Sequence, residues 1–164
     1  MDSFIDSKMA IQTAKLISFP SALFLTGYSL SLSQNTIPAL YDHKPQVTAP
    51  AFKSILDSAG RIAPALTILS STASAYLAYT LPEQRREWAT AAAAMLLTFP
   101  WGGMAMMPGI RKLVAISENK EKTLKSEQSL EHRQLMIRWV KQNYVMVALQ
   151  MFSGITGLFA AVKA

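Results

Sequence analysis

The sequence contains no cysteine and only two histidines, His43 and His132, in 164 residues. Without thiols there is no disulfide scaffold, thiolate zinc site, iron–sulfur cluster or CxxC redox centre. Charge is scarce as well: 16% of residues are Asp, Glu, Lys or Arg, against about 25% in an ordinary soluble domain. There is no Gly-rich phosphate loop, dinucleotide fingerprint or distinctive Ser-His-Asp set. The length allows one domain, 1–164.

The charges that do occur are unevenly spaced. Four runs carry no Asp, Glu, Lys, Arg or His: Leu16 to Tyr41, Ile62 to Pro82, Trp88 to Ile110 and Gln142 to Val162. A bilayer core of roughly 30 Å takes about 20 helical residues, and each run is that long. A soluble amphipathic helix would show charge on its outer face every turn. The expectation is an all-α integral membrane four-helix bundle, with spans at about 14–34, 60–81, 88–108 and 141–162. The mixed charge of residues 1–14 and the long apolar stretch after them do not fit a cleavable signal peptide.

Between the spans, Pro45 and Pro50 mark a connection over 42–61 in which Ala51 resumes a helix, and Asp57 and Arg61 are spaced to pair on it. The third helix is expected from Trp88, with a kink or unwinding at Pro100, Gly102 and Gly103. No Gly or Pro interrupts Arg111 to Ser153. Residues 111–140 therefore read as a polar helical hairpin, with Ser126 and Ser129 as N-caps of the returning helix. In the fourth span Ser153, Gly154 and Gly157 offer a small-residue packing face.

Eleven of the 16 Lys and Arg fall in the connections 42–61 and 111–141. The positive-inside rule places both connections in the cytoplasm and both termini opposite. The net charge of +6 then serves anionic lipid headgroups rather than nucleic acid. A ferritin-like di-iron site needs Glu-x-x-His pairs facing a bundle core, and no carboxylate lies inside any run. No metal is expected, and the lack of a mid-span ionisable group speaks against ion or proton transport. Polar and aromatic residues gather instead near the end of the spans that meets the basic connections: Gln34, Asn35, Arg61, Trp101, His132, Trp139, Asn143 and Tyr144.

Several segments have a familiar order. These are Gly27-Tyr28-Ser29-Leu30-Ser31 with Ile37-Pro38-Ala39-Leu40, and Gly60-Arg61-Ile62-Ala63-Pro64 with Ala75-Tyr76-Leu77-Ala78-Tyr79. Arg86-Glu87-Trp88, Phe99-Pro100-Trp101 with Met107-Pro108, Trp139 with Asn143, and Gly154-Ile155-Thr156-Gly157-Leu158 follow. In these the chain resembles the anthrone oxygenases, small four-span membrane proteins of fungal polyketide pathways. The resemblance implies oxidation of a phenolic anthrone to an anthraquinone by O₂ without metal, flavin or haem. It departs at two places: relatives tend to carry Asn where Ile110 stands and Arg where Met146 stands.

The expectation is thus a membrane-embedded, cofactor-independent tailoring enzyme of fungal secondary metabolism in the endoplasmic reticulum. Its partners would be a hydrophobic small molecule, membrane lipid and other pathway enzymes. His132 would be the base or proton relay, and Arg61 and Asn143 the oxyanion stabilisers. Trp101 and Trp139 would be stacking walls, with Tyr144, Asn35 and Gln34 contributing to substrate binding. A non-oxidative cyclase or isomerase on the same scaffold, and a non-catalytic membrane scaffold, are the alternatives.

Overall fold

A computed structural model describes the backbone of residues 2–163 and the side chains of 7–119, 121–127 and 129–163. Helix accounts for 94% of it and no strand occurs among the described residues. The α-helices are α1 (Asp2–Ser31), α2 (Pro45–Thr80), α3 (Arg85–Leu96), α4 (Thr98–Trp101), α5 (Met107–Glu118), α6 (Lys120–Ser129) and α7 (Glu131–Val162). Among the described residues, three helical stretches are long and apolar enough to cross a membrane: Ser7–Leu40, Pro82–Glu118 and Glu131–Val162. In the last, the charge-free part begins after Lys141. Residues 60–80 are helical within α2 but fall outside this set. From Ile62 on they carry no charge, but Thr67, Ser70, Ser71, Thr72 and Ser74 dilute their hydropathy.

Three boundaries correct the expectation. The helix of the 42–61 connection starts at Pro45, not Ala51, because proline is tolerated in a first turn, where its missing N–H has no partner to lose. The third helix starts at Arg85, three residues before Trp88, behind a 3₁₀ turn at Pro82–Gln84. The polar stretch is not a two-helix hairpin. Asn119, in extended conformation, caps α6 by accepting from the backbone N–H groups of Glu121 and Lys122, and Leu130 ends it in the left-handed region at φ 55°. Ser126 and Ser129 do not cap, since each hydroxyl bonds a carbonyl within α6.

Contacts group the chain into two compact units. The first comprises Met1–Gly27, Ala63–Thr98 and Ala148–Ala164. Its packing relies on small residues and hydroxyls, as expected for helices without a water-driven force between them. Ser18 and Ser74 share a 2.6 Å hydrogen bond, Ser70 donates to the Ser18 carbonyl at 2.8 Å, and Ser153 donates to that of Ala91 at 2.8 Å. Trp88 is fully buried beside Leu77, Ala78, Ala14 and Ala160. Gly157 lets α7 close on it: an added Cβ would lie 3.0 Å from the Phe19 Cβ and 3.2 Å from the Trp88 ring.

The second unit comprises Tyr28–Ile62 and Phe99–Val147. Its core is Leu32, Ile37, Phe52, Met106, Leu113, Met136, Trp139 and Val140. Two of its helices widen into π-helical turns, Leu32–Thr36 and Gly102–Met106. In each, the residue just past the turn donates to the turn's first carbonyl, Ile37 to Leu32 and Met107 to Gly102. A proline comes next in both, Pro38 and Pro108. Its ring removes one donor and crowds the carbonyl four residues back, so the ladder slips by one residue.

The glycines supply a contrast to test. Gly157→Val should cost about 1–3 kcal/mol by overpacking and lower the melting temperature in detergent. Gly109→Ala, where a Cβ meets nothing within 4 Å, should be neutral or stabilising by up to about 1 kcal/mol.

Candidate functional site

The candidate residues all belong to the second unit, but the structure divides them. Helix α7 presents His132, Met136, Trp139 and Asn143 on one buried stripe, at the three- and four-residue spacing of a helix face. Asn143 uses both amide hydrogens: Nδ2 donates to the Ser29 carbonyl at 3.0 Å and to Ser33 Oγ, inside the first π-turn, at 2.8 Å. Its neighbour Gln142 donates from Nε2 to the Ala105 carbonyl in the second π-turn at 2.8 Å. The Gln142 carbonyl in turn accepts the Trp101 indole N–H at 3.0 Å. Adjacent amides on α7 therefore fasten the two π-turns. As an oxyanion stabiliser Asn143 would first have to give up one of these bonds.

His132 and Trp139 differ from their neighbours. His132 is 4% exposed, and among the described residues neither ring nitrogen meets a partner at full hydrogen-bond geometry, although the Ser126 and His43 backbones lie close enough to act on the ring; the Trp139 indole N–H is likewise buried and unpartnered. Trp139 meets the Phe52 ring edge-on, with centroids 5.6 Å apart. His132 lies before the charge-free part of α7, in the polar stretch. Burial holds its pKa below the ordinary histidine value, and Arg133 adds to the lowering; the backbones of Ser126 and His43 and the Glu127 carboxylate oppose it. At neutral pH the imidazole is uncharged, with a free ring nitrogen as acceptor. Tyr41 packs close to this group: Arg133 stacks 5.8 Å from its ring centre. Its phenol pKa is raised first by burial and then by Tyr144.

The remaining candidates lie apart from the stripe. Gln34, Asn35 and Tyr144 are exposed, and none of their side chains makes a hydrogen bond among the described residues. Arg61 is exposed and opens onto a cleft of about 470 Å³ with Lys53, Ser54, Asp57 and Ser58 of α2 and Glu118 of α5. The expected Asp57–Arg61 pair is not formed; Lys53 pairs with Glu118 instead, at 2.7 Å. No group of three His, Asp or Glu converges among the described residues.

Sequence reasoning missed two amides. Gln142 has its signal in Pro38 and Pro108, because a widened turn leaves carbonyls for a side chain to take. Gln150 lies in the first unit, 1% exposed, with both amide atoms unpartnered. It stands seven residues beyond Asn143 on the same stripe, and that spacing was its signal.

A family model described as anthrone oxygenase matches residues 52–156. No curated protein matches the chain, nor does any solved structure.

Two outcomes follow for the stripe. Asn143→Leu removes both bonds and strands the Ser29 carbonyl and Ser33 hydroxyl, which should cost about 1–3 kcal/mol in detergent unfolding. His132 has a folded pKa below its unfolded one, so the unfolded chain takes the proton more readily. Stability should be full above about pH 6.5 and decline as the medium is acidified below it. His132→Phe should flatten that acid limb, measured as melting temperature against pH.

Proposed function

The chain belongs to the anthrone oxygenase family, and on that premise we propose a membrane-embedded tailoring enzyme that converts a flat phenolic anthrone to its anthraquinone with O₂. On this reading the three apolar stretches are joined by 60–81 as a fourth span of a membrane bundle. The connections 42–61 and 111–141 face the cytoplasm, in the endoplasmic reticulum of a fungal producer of polyketides. The substrate reaches the site from the lipid phase.

The observation that carries this reading is the pair of unpartnered nitrogens at His132 and Trp139. They are seven residues apart on α7, about 10 Å along its axis. That is roughly the reach of one six-membered ring with a hydrogen bond at each end. In an anthrone the acidic CH₂ and the carbonyl stand opposite each other across the central ring. Neutral His132 takes a proton from the CH₂, and the Trp139 N–H steadies the negative charge that moves to the carbonyl oxygen. The electron-rich anion reduces O₂ and forms a C–O bond at the former CH₂. The resulting hydroperoxide loses water, so one O₂ is consumed per quinone, one oxygen entering the ketone and the other leaving as water. Met136 fills the interval between the two groups; its unbranched side chain is suited to moving aside for a flat ring.

Membranes containing the protein, given an anthrone under O₂, should form quinone above the spontaneous rate, with an equal molar uptake of O₂ and no released peroxide. His132→Gln should lower kcat by about 10²–10⁴-fold, and Trp139→Phe, which keeps the ring but loses the N–H, by about 10²-fold. Quinone at only the background rate would remove the named reaction. Substrate turnover that persists without O₂ would point to the cyclase or isomerase reading, for which the same base and donor suffice.

A further inference from the structure

The open cleft along α2 is not used by this chemistry. One wall is a single helical stripe, in which Lys53, Ser54, Asp57, Ser58 and Arg61 follow at three- and four-residue steps; the other is the end of α5 at Glu118. Its charges cancel, two of each sign. Lys53 and Glu118 satisfy each other at 2.7 Å, while Asp57 and Arg61 make no ion pair or hydrogen bond among the described residues. The Ser58 hydroxyl donates to the Ser54 carbonyl, and no aromatic side chain lines the cleft.

This composition narrows the occupant. A simple anion would meet Asp57 and Glu118, and a simple cation would meet Arg61 and Lys53. A flat aromatic ring would find no face to stack on. A zwitterion matches both unpaired charges, which stand one turn apart, about 6 Å along the axis. Closing Asp57 onto Arg61 would add little on an exposed helix, so a ligand that pairs with each separately competes easily. A quaternary ammonium lacks N–H donors and is held by aromatic cages; a primary ammonium suits Asp57 and the Ser54 hydroxyl.

We propose that this cleft binds a phosphate–primary ammonium zwitterion, the phosphoethanolamine group, with the phosphate on Arg61 and the ammonium on Asp57. The order of the two charges favours a phospholipid as its source. Past Arg61 the sequence carries no charge from Ile62 to Pro82, the run read above as a membrane span. Arg61 is therefore the residue nearer the acyl region and Asp57 the one farther out. A phosphoethanolamine headgroup has the same order, phosphate inside and ammonium outside. Arginine is also the side chain whose planar fork fits phosphate oxygens.

The test is native mass spectrometry of the full chain in detergent with phosphatidylethanolamine, phosphatidylcholine and phosphatidylglycerol of identical acyl chains. Phosphatidylethanolamine should stay bound about tenfold more tightly than either of the others. Asp57→Asn should bring it down to the phosphatidylcholine level, and Arg61→Gln should lower both, with helicity and monodispersity checked for each variant. Equal retention of the ethanolamine and choline lipids, or tighter retention of the glycerol lipid, overturns the proposal on the wild-type chain alone. Indifference to Asp57→Asn in a folded variant does so as well. Soluble glycerophosphoethanolamine should fail to displace the lipid; displacement at equimolar amounts would overturn the lipid as the source.

Discussion

A proline inside a helix leaves one carbonyl without its donor, and in a segment shielded from water that carbonyl or its neighbours must find another partner. Pro38 and Pro108 impose this twice in the second unit, and both times the helix answers with a π-turn ending just before the proline. Gln142 and Asn143 then take up groups in the two widened turns. Because the two amides are consecutive on α7, one short stretch of backbone fixes both turns. It also fixes Trp101, whose indole reaches the Gln142 carbonyl. The rest of the α7 stripe, His132 through Asn143, takes its position from this junction.

Against so thoroughly paired a background, the unpaired groups stand out. Buried polar atoms normally find a hydrogen bond. Here Ser18, Ser70, Ser74, Thr98, Ser153 and Asn143 all do. The His132 imidazole and the Trp139 indole do not, and leaving such groups unsatisfied costs about 1–3 kcal/mol each. The fold satisfies its serines yet leaves a base and a donor open on one helix face. That asymmetry, more than the presence of any residue type, supports a catalytic use of the stripe. Gln150 is open in the same way, and nothing else in its unit explains it.

What could be read from sequence followed the physics of each signal. Charge-free runs depend only on composition, so the apolar stretches around 14–34, 88–108 and 141–162 were legible, whereas the serines of 60–81 blur a hydropathy signal while leaving the helix intact. The unwinding near Gly102 was legible from glycine and proline; the matching turn at Leu32–Thr36 had the same proline signal, hidden behind a polar tail that reads as a helix end. Ser126 and Ser129 resemble caps of the returning helix in one dimension, but both lie inside a separate helix, α6, which Asn119 caps from an extended backbone. Burial of Trp139 and Asn143 on one face follows from their spacing, whereas that of His132, which reads as an exposed histidine in a polar connection, does not. That Asn143 has no donor to spare does not either: it depends on Ser29 and Ser33, more than a hundred residues away.

Two apolar side chains near the stripe, Ile110 and Met146, bear on the proposed reaction. Ile110 and Met146 are both partly buried and pack against the core that holds Met136 and Trp139. An apolar side chain at each offers neither a hydrogen-bond donor nor a charge to the surroundings of the proposed reaction and extends its apolar wall. With the Asn143 hydrogens engaged and His132 assigned as the base, the indole N–H is the donor left to a developing oxyanion on the proposed reading, and a single neutral donor stabilises less charge than a cation would. The reaction then favours a substrate that supplies part of that stabilisation itself. A phenolic hydroxyl adjacent to the carbonyl does so by an internal hydrogen bond, lowering the demand on the protein as charge arrives at the oxygen.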